Sequence, residues 1–144
     1  MSTAIKKIFI ASDHAAFNEK EELRKFLSKN YDVIDLGTKS LESTHYPIYA
    51  KALAEEVLKH SDAYGVLLCG SGIGASIVAN RYKGIRAALC RDEYDAEMSR
   101  KHNNANVICL GGRVTPVPKM KTMVELFLKS EFEGGRHQVR LDMF

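Results

Sequence analysis

The chain has 144 residues, 45% apolar and 27% charged, a composition that fits one soluble globular domain spanning 1–144 and able to bury a core without disulfide or metal staples. Lys and Arg exceed Asp and Glu by only 21 to 18, with the excess scattered, so neither a nucleic-acid surface nor a membrane partner is indicated and small anions remain fitting ligands. The three cysteines, Cys69, Cys90 and Cys109, show no CxxC or metal spacing, which fits reduced thiols and a cytoplasmic location.

Read for period, the chain alternates between strand and helix. KKIFIAS (6–12) is a short apolar run, too short for a secretion signal, and NEKEELRKFLSKN (18–30) carries Leu23, Phe26 and Leu27 on one helical stripe. YDVIDLG (31–37) reads as strand and PIYAKALAEEVLKH (47–60) as helix, opened by a proline in its first turn. YGVLLC (64–69) with GIGASIVANRY (72–82) repeats the pattern; the glycines at 65, 70, 72 and 74 break what would otherwise approach a membrane-spanning stretch. RAALC (86–90) precedes a helix over 92–103, for which Asp92 is a good N-cap, and ANVICLG (105–111) precedes a helix over 116–130. Five such β/α units predict a parallel sheet covered by helices on both faces.

In an open α/β sheet, ligands bind beyond the carboxyl ends of the strands. That rule brings Asp13, His14, Cys69, Ser71, Arg91, Asp92 and Arg113 to one rim. Cys69 lies at the lip of a glycine turn, where unpaired backbone N–H groups favour thiolate, so a base or nucleophile is open to it, as is simple core packing. The turn itself, with Gly70, Gly72 and Gly74, suits a phosphate or a developing oxyanion, mimics a dinucleotide fingerprint ending in Ala75, and equally suits a tight packing turn. No pair of the five histidines has the local spacing of metal ligands, so no metal site is expected. His102 falls in the last predicted turn of the fourth helix, followed by Asn103 and Asn104. Arg136 and Arg140 stand four apart beyond the last predicted helix, either as a phosphate clamp or as a solvated tail.

SDHAAF, YGVLLCGSGIGASIVANR, GIRAALC, SRKHNNANVICLGGR and FEGGRHQVR, in this order and at these intervals, resemble the ribose-5-phosphate isomerase B family, which includes the galactose-6-phosphate isomerase subunits. The resemblance implies a three-layer α/β/α Rossmann-like sandwich with a five-stranded parallel sheet. It implies a homodimer, or a tetramer, with sites between subunits, and interconversion of ribose 5-phosphate and ribulose 5-phosphate without metal or other cofactor. By the same resemblance Cys69 is the base that moves a proton between C2 and C1, and Ser71 with the amides of Gly70, Gly72 and Gly74 receives the enediolate. His102 opens the sugar ring, Asp13 handles hydroxyl protons, His14, Arg113, Arg136 and Arg140 hold phosphate, and Tyr46 and Asn103 line the substrate. One branch of the family has a glutamate at the position of Ala75 and glycine at that of Cys69; this chain follows the cysteine type. Ala16, where the family often has glycine, and His45, where it often has aspartate, depart from the pattern. These departures leave allose and galactose phosphates open as substrates, and a non-catalytic nucleotide- or phosphate-binding module is the alternative of a different class.

Overall fold

The computed structural model describes residues 6–144. Strands and helices alternate as β1 (Lys7–Ser12), a 3-10 turn (His14–Ala16) running into α1 (Phe17–Leu27), β2 (Asp32–Asp35), α2 (Tyr46–Lys59), β3 (Tyr64–Cys69) and α3 (Ile73–Ala79). They continue as β4 (Ala87–Leu89), α4 (Glu93–Lys101), β5 (Val107–Gly111) and α5 (Val117–Lys129), and the tail folds as a short α6 (Arg136–Leu141). Several elements stop inside the bounds expected from periodicity, for local reasons. The third helix ends at Ala79 because the Asn80 side chain bonds both backbone groups of Ala87, at 2.8 and 2.7 Å, and so turns the chain toward β4. The second strand ends at Asp35, whose carboxylate is drawn to Lys20 while Gly37 takes a φ of +103°. The fourth helix starts where expected, with the Asp92 carboxylate accepting from the Asp95 N–H at 2.9 Å, and His102 follows its last turn as the C-cap.

All strand pairs are parallel, in the order β2-β1-β3-β5-β4. Right-handed crossovers then dictate the layers, because a connection moving one way along the sheet lies on the opposite face from one moving back. The steps β1 to β2 and β4 to β5 run in one direction and put α1 and α4 on one face, joined by α5. The steps β2 to β3 and β3 to β4 run the other way and put α2 and α3 on the second face.

Each face has its own core, and the period-2 alternation of the strands feeds both. Ile8, Ile10, Val66, Leu68, Ile108 and Leu110 pack toward Leu23, Met120 and Phe127, while Phe9, Ala11, Leu67, Val107 and Cys109 pack toward Leu53, Val57 and Ala75. Each fully buried aliphatic side chain contributes about 1.5–3 kcal/mol, so the continuous apolar runs of β1, β3 and β5 carry much of the stability.

A charged residue is buried among them. The Lys20 side chain has no exposed surface and bonds both Asp35 oxygens, at 2.9 and 2.8 Å, and Glu21 at 2.9 Å. Asp35 also accepts from the Gly37 N–H at 2.9 Å, so this pair ties α1 to the end of β2 and to the loop leading into α2. Burial raises the Asp35 carboxyl, but Lys20, the Gly37 N–H and Lys39 together outweigh it and hold the group below its usual range. Arg24 in the first place, with Lys20, holds Glu21 down at about 2 against its burial. Both acids are therefore more acidic folded than unfolded, so their stabilisation is complete above the unfolded carboxylate range and is lost as pH falls through it toward about 2. Asp35→Ala should leave buried Lys20 with Glu21 alone and cost about 3–5 kcal/mol in urea denaturation at neutral pH, with the difference from the parent shrinking as pH falls below the unfolded carboxylate range.

Candidate active site

The sheet order reverses direction around β1, which has β2 on one side and β3 on the other, and the crevice at such a switch point is where an α/β sheet receives its ligand. An open cleft of about 540 Å³ lies there, lined by Asp13, His14, Ala15, Tyr46, Cys69, Gly70, Ser71, Ile73, Gly74, Arg113 and Val114. The strand ends thus converge as expected, with Ala15, Ile73 and Val114 as lining that chemistry-bearing residue types did not single out.

Cys69 is the last residue of β3, only 4% exposed, and its sulfur accepts from the Gly72 N–H at 3.1 Å. This donor reaches back because Gly72 has a φ of +81°, and a side chain there would strike Leu89 at 2.7 Å and the Leu110 carbonyl at about 3 Å. Ser71 is held in the same turn, its hydroxyl oxygen accepting from the Ile73 N–H at 3.1 Å. Parallel pairing sets Gly111 of β5 opposite Cys69, and bonds from Gly112 N to the Cys69 carbonyl (2.9 Å) and from Arg113 N to the Gly70 carbonyl (3.0 Å) carry the pairing into the turn. That register lays the Arg113 guanidinium over Gly70 and leaves it exposed at the cleft mouth. Gly74 makes room for an aromatic ring. A Cβ there would come within 2.6 Å of Tyr46, which packs across it from the start of α2.

On the β1 side, Asp13 is buried and caps the 3-10 turn by accepting from the Ala15 N–H at 3.0 Å. The Thr44 N–H donates to His14 Nδ1 at 3.1 Å, so Nδ1 is the acceptor and Nε2 is left to carry the hydrogen. Ala16 costs no strain: its φ is −124°, and its methyl lies against Gly112, where an added Cβ would meet it at 2.8 Å. His45 is exposed, directly before Tyr46, and makes no capping bond with its side chain.

Two rim residues serve the scaffold instead. Arg91 turns its Nη1 onto the Ser71 carbonyl at 2.7 Å and braces the glycine turn, while Asp92 is occupied as an N-cap. The remaining thiols are sealed in the core, where burial pushes Cys90 up to about 12 and Cys109 higher still.

His102, Asn103, Arg136 and Arg140 do not line this cleft. Asn103 borders a separate hollow with Ile85 and Phe144, and the two arginines are exposed one turn apart on α6. His102 stacks on His137, ring centroids 4.2 Å apart and planes 12° from parallel, with Glu133 beside both. Separation along the chain hid this group from a reading of local spacing: the ligating atoms of His102, Glu133 and His137 lie within 4.8 Å of one another. The rings as stacked do not suit one ion, because a metal sits in the plane of each imidazole it binds and parallel planes share no such point.

The family profile described as Ribose/Galactose Isomerase matches residues 8–144. The chain belongs to this family. Ribose-5-phosphate isomerase B of Escherichia coli (strain K12) is 42% identical over 139 residues, covering 96% of this chain and 93% of that one. The structure of a ribose 5-phosphate isomerase from Thermotoga maritima superposes with a TM-score of 0.93 at 47% identity, covering 96% of each chain. That of ribose-5-phosphate isomerase B from Mycoplasma genitalium with bound ribulose-5-phosphate gives 0.92 at 42%, covering 95% of this chain and 92% of that one. The fold is accordingly an α/β/α sandwich on a five-stranded parallel sheet.

Gly74 offers a clean test of the cleft's construction. Alanine suits a helix better than glycine by up to about 1 kcal/mol, so Gly74→Ala should leave the melting temperature unchanged or raised while its methyl displaces Tyr46 and weakens ligand binding in the cleft.

Proposed function

We propose that this chain interconverts ribose 5-phosphate and ribulose 5-phosphate as an aldose–ketose isomerase, by proton transfer through an enediolate, with residues 1–144 making up one catalytic domain. The observation that carries the reading is Cys69, whose sulfur sits in a cleft between Asp13 and His14 on one side and Arg113 on the other and takes an N–H from Gly72 at 3.1 Å. Family membership and relatives named ribose-5-phosphate isomerase B support it.

In this reading the Cys69 thiolate takes the proton from C2 of the open-chain aldose, and the electron pair passes into the C1 carbonyl to give the enediolate. Its negative oxygen is received by the Ser71 hydroxyl and by amides of the Gly70–Gly74 turn other than that of Gly72, donors fixed in the turn before charge develops. The N–H of Gly72 supports the charge that the sulfur carries while it acts as base. Return of the proton to C1, with Asp13 moving the hydroxyl proton between O2 and O1, completes the ketose. Arg113 and the Nε2–H of His14 hold the phosphate end, and Tyr46 covers the sugar.

The remaining assignments need a second copy of the chain. His102 for ring opening, Asn103 against the sugar, and Arg136 and Arg140 on the phosphate all lie off the cleft of their own chain, which supports a homodimer whose sites are shared. Ile73 and Ile77 stand exposed on one face of α3 beside the cleft, and Val139 is exposed on α6 between the two arginines, apolar surface suited to such contact. No helix among the described residues is long and apolar enough to cross a membrane, and three buried free thiols support a reducing, cytoplasmic setting.

Incubation with ribose 5-phosphate should yield ribulose 5-phosphate, at a higher kcat/KM than galactose 6-phosphate or allose 6-phosphate is turned over. Cys69→Ser should abolish most turnover while sugar phosphate still binds; near-normal turnover would return Cys69 to the core. Arg136→Ala and Arg140→Ala should each weaken substrate binding by about 1.5–3 kcal/mol, measured by calorimetry. Mixing Cys69→Ala with His102→Ala subunits should restore about a quarter of parent activity, because half the dimers are then mixed and each has one intact site of two. Inactivity of mixtures whose heterodimers are verified by mass spectrometry would mean that both residues serve one chain's site.

A further inference from the structure

The cluster of His102, Glu133 and His137 holds two residues to which the reaction above gives no role. Glu133 belongs to the segment between α5 and α6, and its N–H bonds the Lys101 carbonyl at 3.0 Å, which pins that segment to the end of α4. From there its Oε1 lies 3.7 Å from His102 Nε2 and 3.5 Å from His137 Nε2. His137 is 7% exposed, and its Nε2 has no hydrogen-bond partner among the described residues. A histidine kept for its nitrogens would have them bonded. This one contributes its flat face, parallel to His102 at 4.2 Å.

His102 needs such support. It follows the last turn of α4, with its backbone N–H on Met98 and more than a third of its side chain exposed, so the stacked ring and the nearby carboxylate are what restrain its imidazole. His137 is held toward its neutral form, by burial first and then by the nearby positive charges of His102, Arg136 and Arg140, with Glu133 opposing. Of the two stacked rings, His102 is the one that stands next to the Glu133 carboxylate with its side chain open to solvent.

We propose that His137 and Glu133 are positioning residues for His102, His137 by fixing the plane of its ring and Glu133 by supporting its charge during opening of the sugar ring. The inference rests on the ring-opening assignment of His102. In that step the anomeric hydroxyl loses its proton, the C1–O4 bond breaks to leave the aldehyde, and O4 gains a proton; His102 is an imidazolium for part of this exchange.

The substrate pair separates this step from the rest. Ribulose 5-phosphate cannot close to a furanose, because its C5 oxygen carries the phosphate, so hydrogen exchange at its C1 requires the enediolate but no ring chemistry. The experiment measures, for each variant, turnover of ribose 5-phosphate and, by NMR in heavy water, deuterium incorporation at C1 of ribulose 5-phosphate. His137→Ala and Glu133→Gln should lower turnover by about ten- to a hundred-fold, as displaced catalytic groups do, while exchange stays near the parent rate. His137→Phe, which keeps a flat buried ring without the unpartnered nitrogen, should recover most of the turnover. Equal loss of both activities, or a Phe variant as impaired as the Ala one, would overturn the proposal; Glu133, half exposed, can be changed without threat to folding if His137→Ala proves unstable. His102→Ala is the reference. If it lacks the selective loss, the ring-opening assignment fails; if it shows the loss while the Glu133 and His137 variants do not, only the positioning role fails.

Discussion

Everything at the cleft depends on the parallel pairing of β3 with β5 running past the end of β3. Had the ladder stopped at Cys69, the Gly70–Gly74 turn would be a mobile loop. Instead two further backbone bonds, from Gly112 to Cys69 and from Arg113 to Gly70, hold the turn to the neighbouring chain segment. The pairing requires a bare backbone at Gly111, where a Cβ would meet the Ser71 carbonyl at 2.7 Å, and Arg91 closes the arrangement by binding that same carbonyl. The thiol, the turn amides and the backbone from which Arg113 extends thus occupy fixed positions relative to one another before any ligand arrives, which is the condition for backbone donors to stabilise charge without reorganising.

Two of the three cysteines illustrate how place decides chemistry within one apolar core. Cys69 and Cys109 face the same side of the sheet and pack in one cluster, and both are almost wholly buried. Cys109 is enclosed on all sides, and desolvation leaves it a small apolar filler. Cys69 differs by standing at the end of its strand, with one side open to the cleft and an N–H directed at its sulfur.

Residues at strand ends were legible in the sequence because the rule that locates them is topological. Asp13, His14, Cys69, Ser71 and Arg113 follow from strand periodicity and the glycine turn alone, and the structure gathers them in one cleft. Arg91 obeyed the same rule and yet serves the scaffold, since residue type does not reveal whether a guanidinium will meet a ligand or a nearer carbonyl. The pairing of His102 with His137 was illegible for another reason. It is made by residues 130–135, which have neither helical nor strand periodicity and are tied to the end of α4 by the Glu133 N–H on the Lys101 carbonyl. Tyr46 reached the cleft through an equally irregular loop, anchored at one end by the Lys20–Asp35 pair and at the other by Thr44 on His14. Family resemblance, not period, pointed to Tyr46 and gave His102 its role.

β1 is paired on both of its edges, with β2 from the residues just after it and with β3 only once Tyr64–Cys69 is available. During synthesis on the ribosome the emerging chain therefore passes through a stage in which Ile8, Ile10 and Ala11 already belong to a strand whose second edge is unsatisfied. Open apolar edges of this kind recruit strands from other molecules. The segment that closes this edge of β1 is the same YGVLLC that delivers the thiol, and it passes the open edge on to itself until β5 pairs with it, so the strand that carries the chemistry is the last of the central strands to be covered.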